Sequence, residues 1–355
     1  MMKRFMFSGG GDASIAIRVV TIVVIVLGAI VTGSVSLILE DILPKPHPEE
    51  VIVASRWALL GSSVLLVALA VWLRYEVRSV SGTLFSAQVL DEAAADRVNE
   101  GGMDFRSAAS RRYMYLRSIQ RWVDYECSVR HGVLDLHELC HEIGVELETL
   151  LNTAPDEGRK TVAPNMPWPM SMAIGAYLPA KQSDVHVLEL PRWEGDREHE
   201  FPLRPVDPKN TVPGIRELHR LPRPNGSRIG ALVTLDTEVG REDIERLRDF
   251  GVATVYTVNI PLHGGRGEDP SRYEEPELES GGHRIAEELT AIRRAHPEDE
   301  LVVAARISSA VALSVGWHLT QHTCHLYRNT YLMYFDGDRI VPMRVRASQP
   351  ERFEP

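Results

Sequence analysis

Two uninterrupted apolar runs open the chain, and a longer body follows in which apolar and polar stretches alternate. Val19 to Leu39 is 21 residues without a charge, and Trp57 to Leu73 is 17 more. A bilayer core takes roughly 20 apolar residues per helix. Val, Ile and Leu surround every face of both runs, as lipid contact demands. The pattern predicts a transmembrane hairpin over residues 1–80, with helices at 17–39 and 53–75. Lys3, Arg4 and Arg18 precede the first run, and Arg74 and Arg78 follow the second. Between them lie Glu40, Asp41, Glu49 and Glu50 against Lys45. The positive-inside rule then puts the N- and C-termini in the cytoplasm and makes the protein multi-pass.

Past the hairpin, residues 81–165 read as a mainly helical connecting region. Helices are expected at Asp91–Asn99, Ser107–Cys127 and Asp135–Leu151. Residues 166–355 change character. Strands are expected at Ser171–Leu178 and Val185–Leu190, and no strong element over Pro191–Asn225. An alternating series then runs through strand Ile229–Leu235, helix Arg241–Phe250, strand Ala253–Ile260, a polar loop His263–Gly281 and helix Gly282–His296. It continues through strand Leu301–Ala305, helix Ser308–Gln321, and strands Cys324–Tyr327, Tyr331–Phe335 and Ile340–Arg346. Strand–helix alternation at this spacing implies a mostly parallel sheet covered on both faces. Ligands of such sheets bind where the strands end.

Charge narrows the partners. Beyond residue 80 the chain holds 32 basic and 43 acidic residues, too acidic a body to coat DNA. Cys127, Cys140 and Cys324 have no paired spacing and read as reduced thiols.

The passage LVVAARISSAVALSVGWHL from Leu301 to Leu319, with CHLYRN from Cys324, resembles the last third of SAVED domains. The segment Val185 to Trp193, Thr234 to Thr237 and the strand Thr254 to Pro261 fit earlier parts of that pattern, and the resemblance spans about Pro169 to Arg346. It implies a membrane-anchored α/β protein: a transmembrane hairpin carrying a cytosolic sensor of two fused, degenerate Rossmann-like (CARF-like) halves. It implies further a bacterial inner-membrane effector of antiphage defence, non-enzymatic and without a cofactor. Its ligand would be a cyclic di- or oligonucleotide, a cyclic trinucleotide first among them, made by a partner nucleotidyltransferase. Binding would drive homo-oligomerisation and disrupt the membrane.

Candidate ligand-binding residues follow from strand ends. Arg306 closes one strand, and Ser308 and Ser309 open the next helix, where free N–H groups hold phosphate; Ser308 serves equally as an ordinary cap. Thr234, Asp236 and Thr237 end another strand and suit ribose or base, or a local turn. Tyr327, Arg328 and Asn329 follow a third expected strand, as a stacking site or a surface turn. Trp168 and Trp193 are possible base platforms or packed side chains. A rival from another class is His137-Glu138-Leu139-Cys140-His141, an H-E-x-x-H pattern that on a helix sets two imidazoles for zinc beside a general base. That reading is a membrane-anchored metalloprotease, with Glu157 or His186 as third ligand; an ordinary helix face fits the same residues. His318, His322 and His325 cluster in sequence and read as packed or surface histidines.

Overall fold

The computed structural model describes residues 82–92, 105–154, 158–179, 185–191, 198–206, 214–221, 226–235, 240–261, 275–322, 325–336 and 339–354. Before residue 82 it describes position 28 and several positions between 61 and 72, all helical. The rest of the expected hairpin, and with it most of both spans, lies outside the described residues. Among the described residues no helix is long and apolar enough to cross a membrane. The chain divides into Met1–Gly82 and Thr83–Pro355; the second unit carries the strands.

In chain order its described elements are β1 (Thr83–Asp91), α1 (Phe105–Arg111), β2 (Tyr115–Val123), β3 (Val129–Arg130), β4 (Val133–Asp135), α2 (His137–Thr153) and β5 (Lys160–Asn165). Then come α3 (Trp168–Gly175), β6 (Val185–Glu189), β7 (His199–Pro202), β8 (Ile215–Arg220), β9 (Arg228–Leu235) and α4 (Arg241–Arg246). A 3-10 turn (Leu247–Phe250) leads to β10 (Val252–Ile260), α5 (Glu275–Ala295), β11 (Leu301–Arg306), α6 (Ser309–Leu319), β12 (Thr330–Asp336) and β13 (Arg339–Arg344).

Two sheets share one plan. The first runs β2-β1-β5-β6-β7, and the second contains β10-β9-β11-β12-β13 in the corresponding order. In each, the first four strands are parallel and the fifth is antiparallel. The second sheet adds β8 beyond β10, and β4 and β3 beyond β13. The unit is thus a doubled Rossmann-like α/β fold.

The doubling moves the expected boundaries. The first half begins at Thr83, and residues 81–165 supply three of its five strands. The expected helix Ser107–Cys127 is instead α1, a left-handed turn at Tyr113 (φ 57°) and β2. Arg117 and Arg121 share a face at helical spacing, but a spacing of four also keeps one face of a strand. The expected strand Ser171–Leu178 is mostly α3. All eight α3 residues are buried, so no polar stripe reveals the helical period. Pro169 in its first turn was the available signal. β7 and β8 lie inside the stretch expected to hold no element, and α5 begins within the expected loop. Residues 326–329 form a turn, not the expected end of a strand, and Asn329 is left-handed there (φ 52°).

The halves meet through α3 and α6. Two residues separate each helix from its strand, β5 or β11, and each helix has glycine at its eighth position, Gly175 and Gly316. A Cβ on Gly175 would lie 2.1 Å from the carbonyl oxygen of Leu313, and one on Gly316 would lie 1.9 Å from that of Met172. Leu313 and Met172 are the fifth residues of their helices. The contact is therefore reciprocal, backbone against backbone, as a local two-fold requires. Leu313, Val315, Met170, Met172 and Ile174 complete a core continuous across both halves.

Gly316→Ala should be strongly felt, because a backbone carbonyl cannot swing aside as a side chain can. Overpacking typically costs about 1–3 kcal/mol, which for a unit this large is a Tm drop of roughly 2–10 °C. Thermal unfolding of the full chain in detergent checks this; an unchanged Tm contradicts the reciprocal contact.

Candidate functional site

The carboxyl ends of β5, β6, β9, β10 and β11 converge beside the first turns of α3 and α6. Thr234 and Arg306 are register partners on β9 and β11. Thr234 donates to Oδ1 of Asn259 at 3.4 Å, and Asn259 is its partner on β10. Arg306 is half exposed and pairs with Asp243 of α4 at 2.6 Å. Ser308 caps α6, accepting from the Val311 N–H at 3.2 Å, and donates to Oε2 of Glu189 at 2.9 Å. Ser309 donates to the Met166 carbonyl at 2.7 Å. Both serine hydroxyls are thus bonded across the junction of the halves, which ties the two helix starts together. Helix starts carry free N–H groups and partial positive charge.

Trp168 opens α3 and is 7% exposed, within the core. Its ring is packed away and presents no open stacking face. Its indole N–H is buried and finds no acceptor among the described residues. A buried donor without a partner loses its hydration at appreciable cost.

The structure brings together Thr234, Arg306, Ser308 and Ser309, while Trp168 opens α3 with its ring in the core. Asp236, Thr237 and Trp193 lie outside the described residues. Tyr327, Arg328 and Asn329 are elsewhere. Their turn precedes β12, and the Leu301 N–H donates to the Asn329 carbonyl. They therefore stand at the amino ends of the parallel strands, while Arg306 stands five residues further along β11, about 17 Å by strand rise. Tyr327 donates instead to the Met172 carbonyl at 3.2 Å and lies 5.6 Å from the Arg346 guanidinium. Sequence reasoning missed Glu189, Asp243 and Asn259. Glu189 and Asn259 close apolar strands, which was a usable signal. Asp243 lies on a short polar helix with none.

The H-E-x-x-H residues lie on helix α2, and each imidazole is bonded through Nδ1. His137 Nδ1 is 2.8 Å from Asp135, which Arg344 also holds at 2.9 Å. His141 Nδ1 is 2.8 Å from the Tyr177 hydroxyl. Glu138 is exposed, and His186 lies against Arg159 at 3.2 Å. Among the described residues no three His, Cys, Asp or Glu side chains form a metal-ligand set.

Behind α6, His318 is buried edge-on to His283, with ring centroids 4.9 Å apart. Burial pushes its pKa down to about 3, with His283 and His322 adding to the effect. Burial likewise lowers that of His283. On Asp135, burial raises the pKa, but hydrogen bonds from His137 and Arg344 outweigh it and hold the carboxyl below its usual range.

No family model and no curated protein sequence matches the chain. Solved structures similar to it include the Acinetobacter baumannii Cap4 SAVED/CARF-domain containing receptor in three forms. With the cyclic trinucleotide 2'3'3'-cAAA, identity is 8% and TM-score 0.41, covering 88% of this chain and 61% of that one. With 3'3'3'-cAAA, the figures are 9%, 0.40, 88% and 61%. A third form gives 10%, 0.38, 88% and 59%. The chain spans about three-fifths of the length of that receptor.

The histidines make a pH prediction. A depressed histidine pKa stabilises fully above the unfolded value of about 6.5, and that stability is lost as pH falls from there toward the folded value. Unfolding free energy should therefore decline from pH 6.5 downward, by up to about 1.4 kcal/mol per pH unit per histidine. Asp135 adds its own loss only below its ordinary value of 3.8. Urea midpoints at pH 7.5 and 5.0 measure this, and His318→Gln should flatten the difference. An equal difference in the variant shows that His318 is not its source.

Proposed function

We propose that this chain is a membrane-anchored sensor of a cyclic oligonucleotide in bacterial antiphage defence, reading its ligand where the two Rossmann-like halves meet. One observation carries the reading: the carboxyl ends of β9, β10 and β11 and the capped start of α6 meet at Arg306, Asn259 and Ser308. This is where open α/β sheets hold ligands. A cation, several neutral hydrogen-bonding groups and helix N-termini suit a phosphate-bearing nucleotide. The resemblance of Leu301–Leu319 to SAVED domains supports the ligand class. A cyclic trinucleotide, bound by the Cap4 receptor, is the first compound to test. Its source would be a partner nucleotidyltransferase.

The anchor is the hairpin of residues 1–80 in the inner membrane, with both termini cytoplasmic. Its support is the two apolar runs, and the exposure of Val64, Leu65, Val71 and Trp72 at helical positions of the second. Apolar side chains over half exposed are unfavourable in water and at home in lipid. Ligand binding would favour an associated state and draw the hairpins together into a membrane-disrupting assembly. That shift requires tighter binding to the associated state than to the monomer.

Full-length protein in detergent should bind at least one member of a panel of cyclic di-, tri- and tetranucleotides and grow in mass by light scattering. Arg306→Ala should weaken that binding tenfold or more, the loss of about one charge-assisted hydrogen bond. Absence of binding across the panel refutes the reading. Unchanged affinity in the variant removes Arg306 from the site.

A further inference from the structure

Arg306 is the cation of the proposed site; one acid pairs with it, and a second bonds the helix cap two residues along. Asp243, from the connection after β9, holds its guanidinium at 2.6 Å. Glu189, from the end of β6 in the other half, accepts from Ser308 at 2.9 Å, two residues along the chain from Arg306. The Asp243 side chain is 11% exposed, so its charge is only partly screened by water. The α6 start, which would otherwise attract any anion, already faces the Glu189 carboxylate. A site built only to grip phosphate would not place carboxylates on both its cation and its helix cap.

We propose that Asp243 and Glu189 are specificity-determining residues that reject compact polyphosphates, resting on the cyclic-oligonucleotide reading above. The abundant competitors of any cytosolic nucleotide sensor are nucleoside triphosphates, whose charge is crowded onto one phosphate chain. Such a chain on Arg306 would meet the Asp243 carboxylate directly and, where it reached the α6 start, that of Glu189, and like charges at short range repel. A cyclic oligonucleotide differs in two ways. Its phosphodiesters are singly charged and separated by riboses, so one can meet Arg306 while the others stay clear of the acids. Between them it offers hydroxyl and amino donors, which a carboxylate accepts. The acids therefore cost little against the intended ligand and much against the competitor, which is how discrimination by repulsion works.

The test uses the full-length chain in detergent, with ATP and inorganic tripolyphosphate as probes beside the cyclic nucleotide panel, in calorimetry. Asp243→Asn keeps a hydrogen-bonding partner for Arg306, and Glu189→Gln keeps one for Ser308; unfolding curves matching the parent show that each variant folds. The expected result is weak ATP binding by the parent, and a gain of tenfold or more in Asp243→Asn or Glu189→Gln. Affinity for the best cyclic nucleotide should gain less than affinity for ATP in the same variant. Unchanged ATP affinity in both folded variants overturns the proposal. So does an equal gain for ATP and the cyclic nucleotide, or a parent that binds ATP as tightly as the best member of the panel. If no cyclic nucleotide binds the parent, the functional reading fails, while the ATP comparison still decides the role of the acids.

Discussion

The α3–α6 crossing is the constraint on which the rest of this fold depends. Glycine at the eighth position of each helix lets backbone meet backbone, and no side chain fits between. Interiors packed to crystal density tolerate no such intrusion. Because the contact is reciprocal, it fixes the halves about a local two-fold and aligns the two helix starts. The Ser309–Met166 and Ser308–Glu189 bonds then close that edge. The candidate site is thus a product of helix packing, not of a separately folded loop.

The opposite end of α3 is held with equal care. Arg346 donates to the Ala173 carbonyl in its last turn, and its guanidinium lies 4.5 Å over the Tyr177 ring. A cation suits a helix C-terminus, and stacking on aromatic faces adds to its hold. Tyr327, bonded to the Met172 carbonyl, belongs to this support. It braces the helix whose other end faces the site.

The halves are alike in plan and unlike in chemistry. Where β11 ends in Arg306 and leads through Ser308 to Ser309, β5 ends in Asn165 and leads through Pro167 to Trp168. One half contributes a cation, hydroxyls and the Asn259 amide; the other contributes the Glu189 carboxylate and the Met166 carbonyl. A doubled fold with unequal edges has no need of a symmetric ligand, and the acids at Arg306 and Ser308 sharpen that inequality.

Much of the second half was legible in the sequence. β9, β10 and β11 are apolar, β-branched runs bounded by charge or glycine, and α6 carries a serine cap, so local chemistry alone determined them. Arg306 and Thr234 were legible for the same reason, since each closes such a run. The first half hid itself. α3 is buried all round and shows no period, β2 spaces its arginines as a helix would, and β7 and β8 are short and polar. What pairs Arg306 with Asp243, Ser308 with Glu189, and sends Tyr327 to the far edge is strand order and helix crossing. Those are long-range contacts between residues tens of positions apart. A linear pattern records which side chains share a face of one element; only the assembled sheets decide which elements become neighbours.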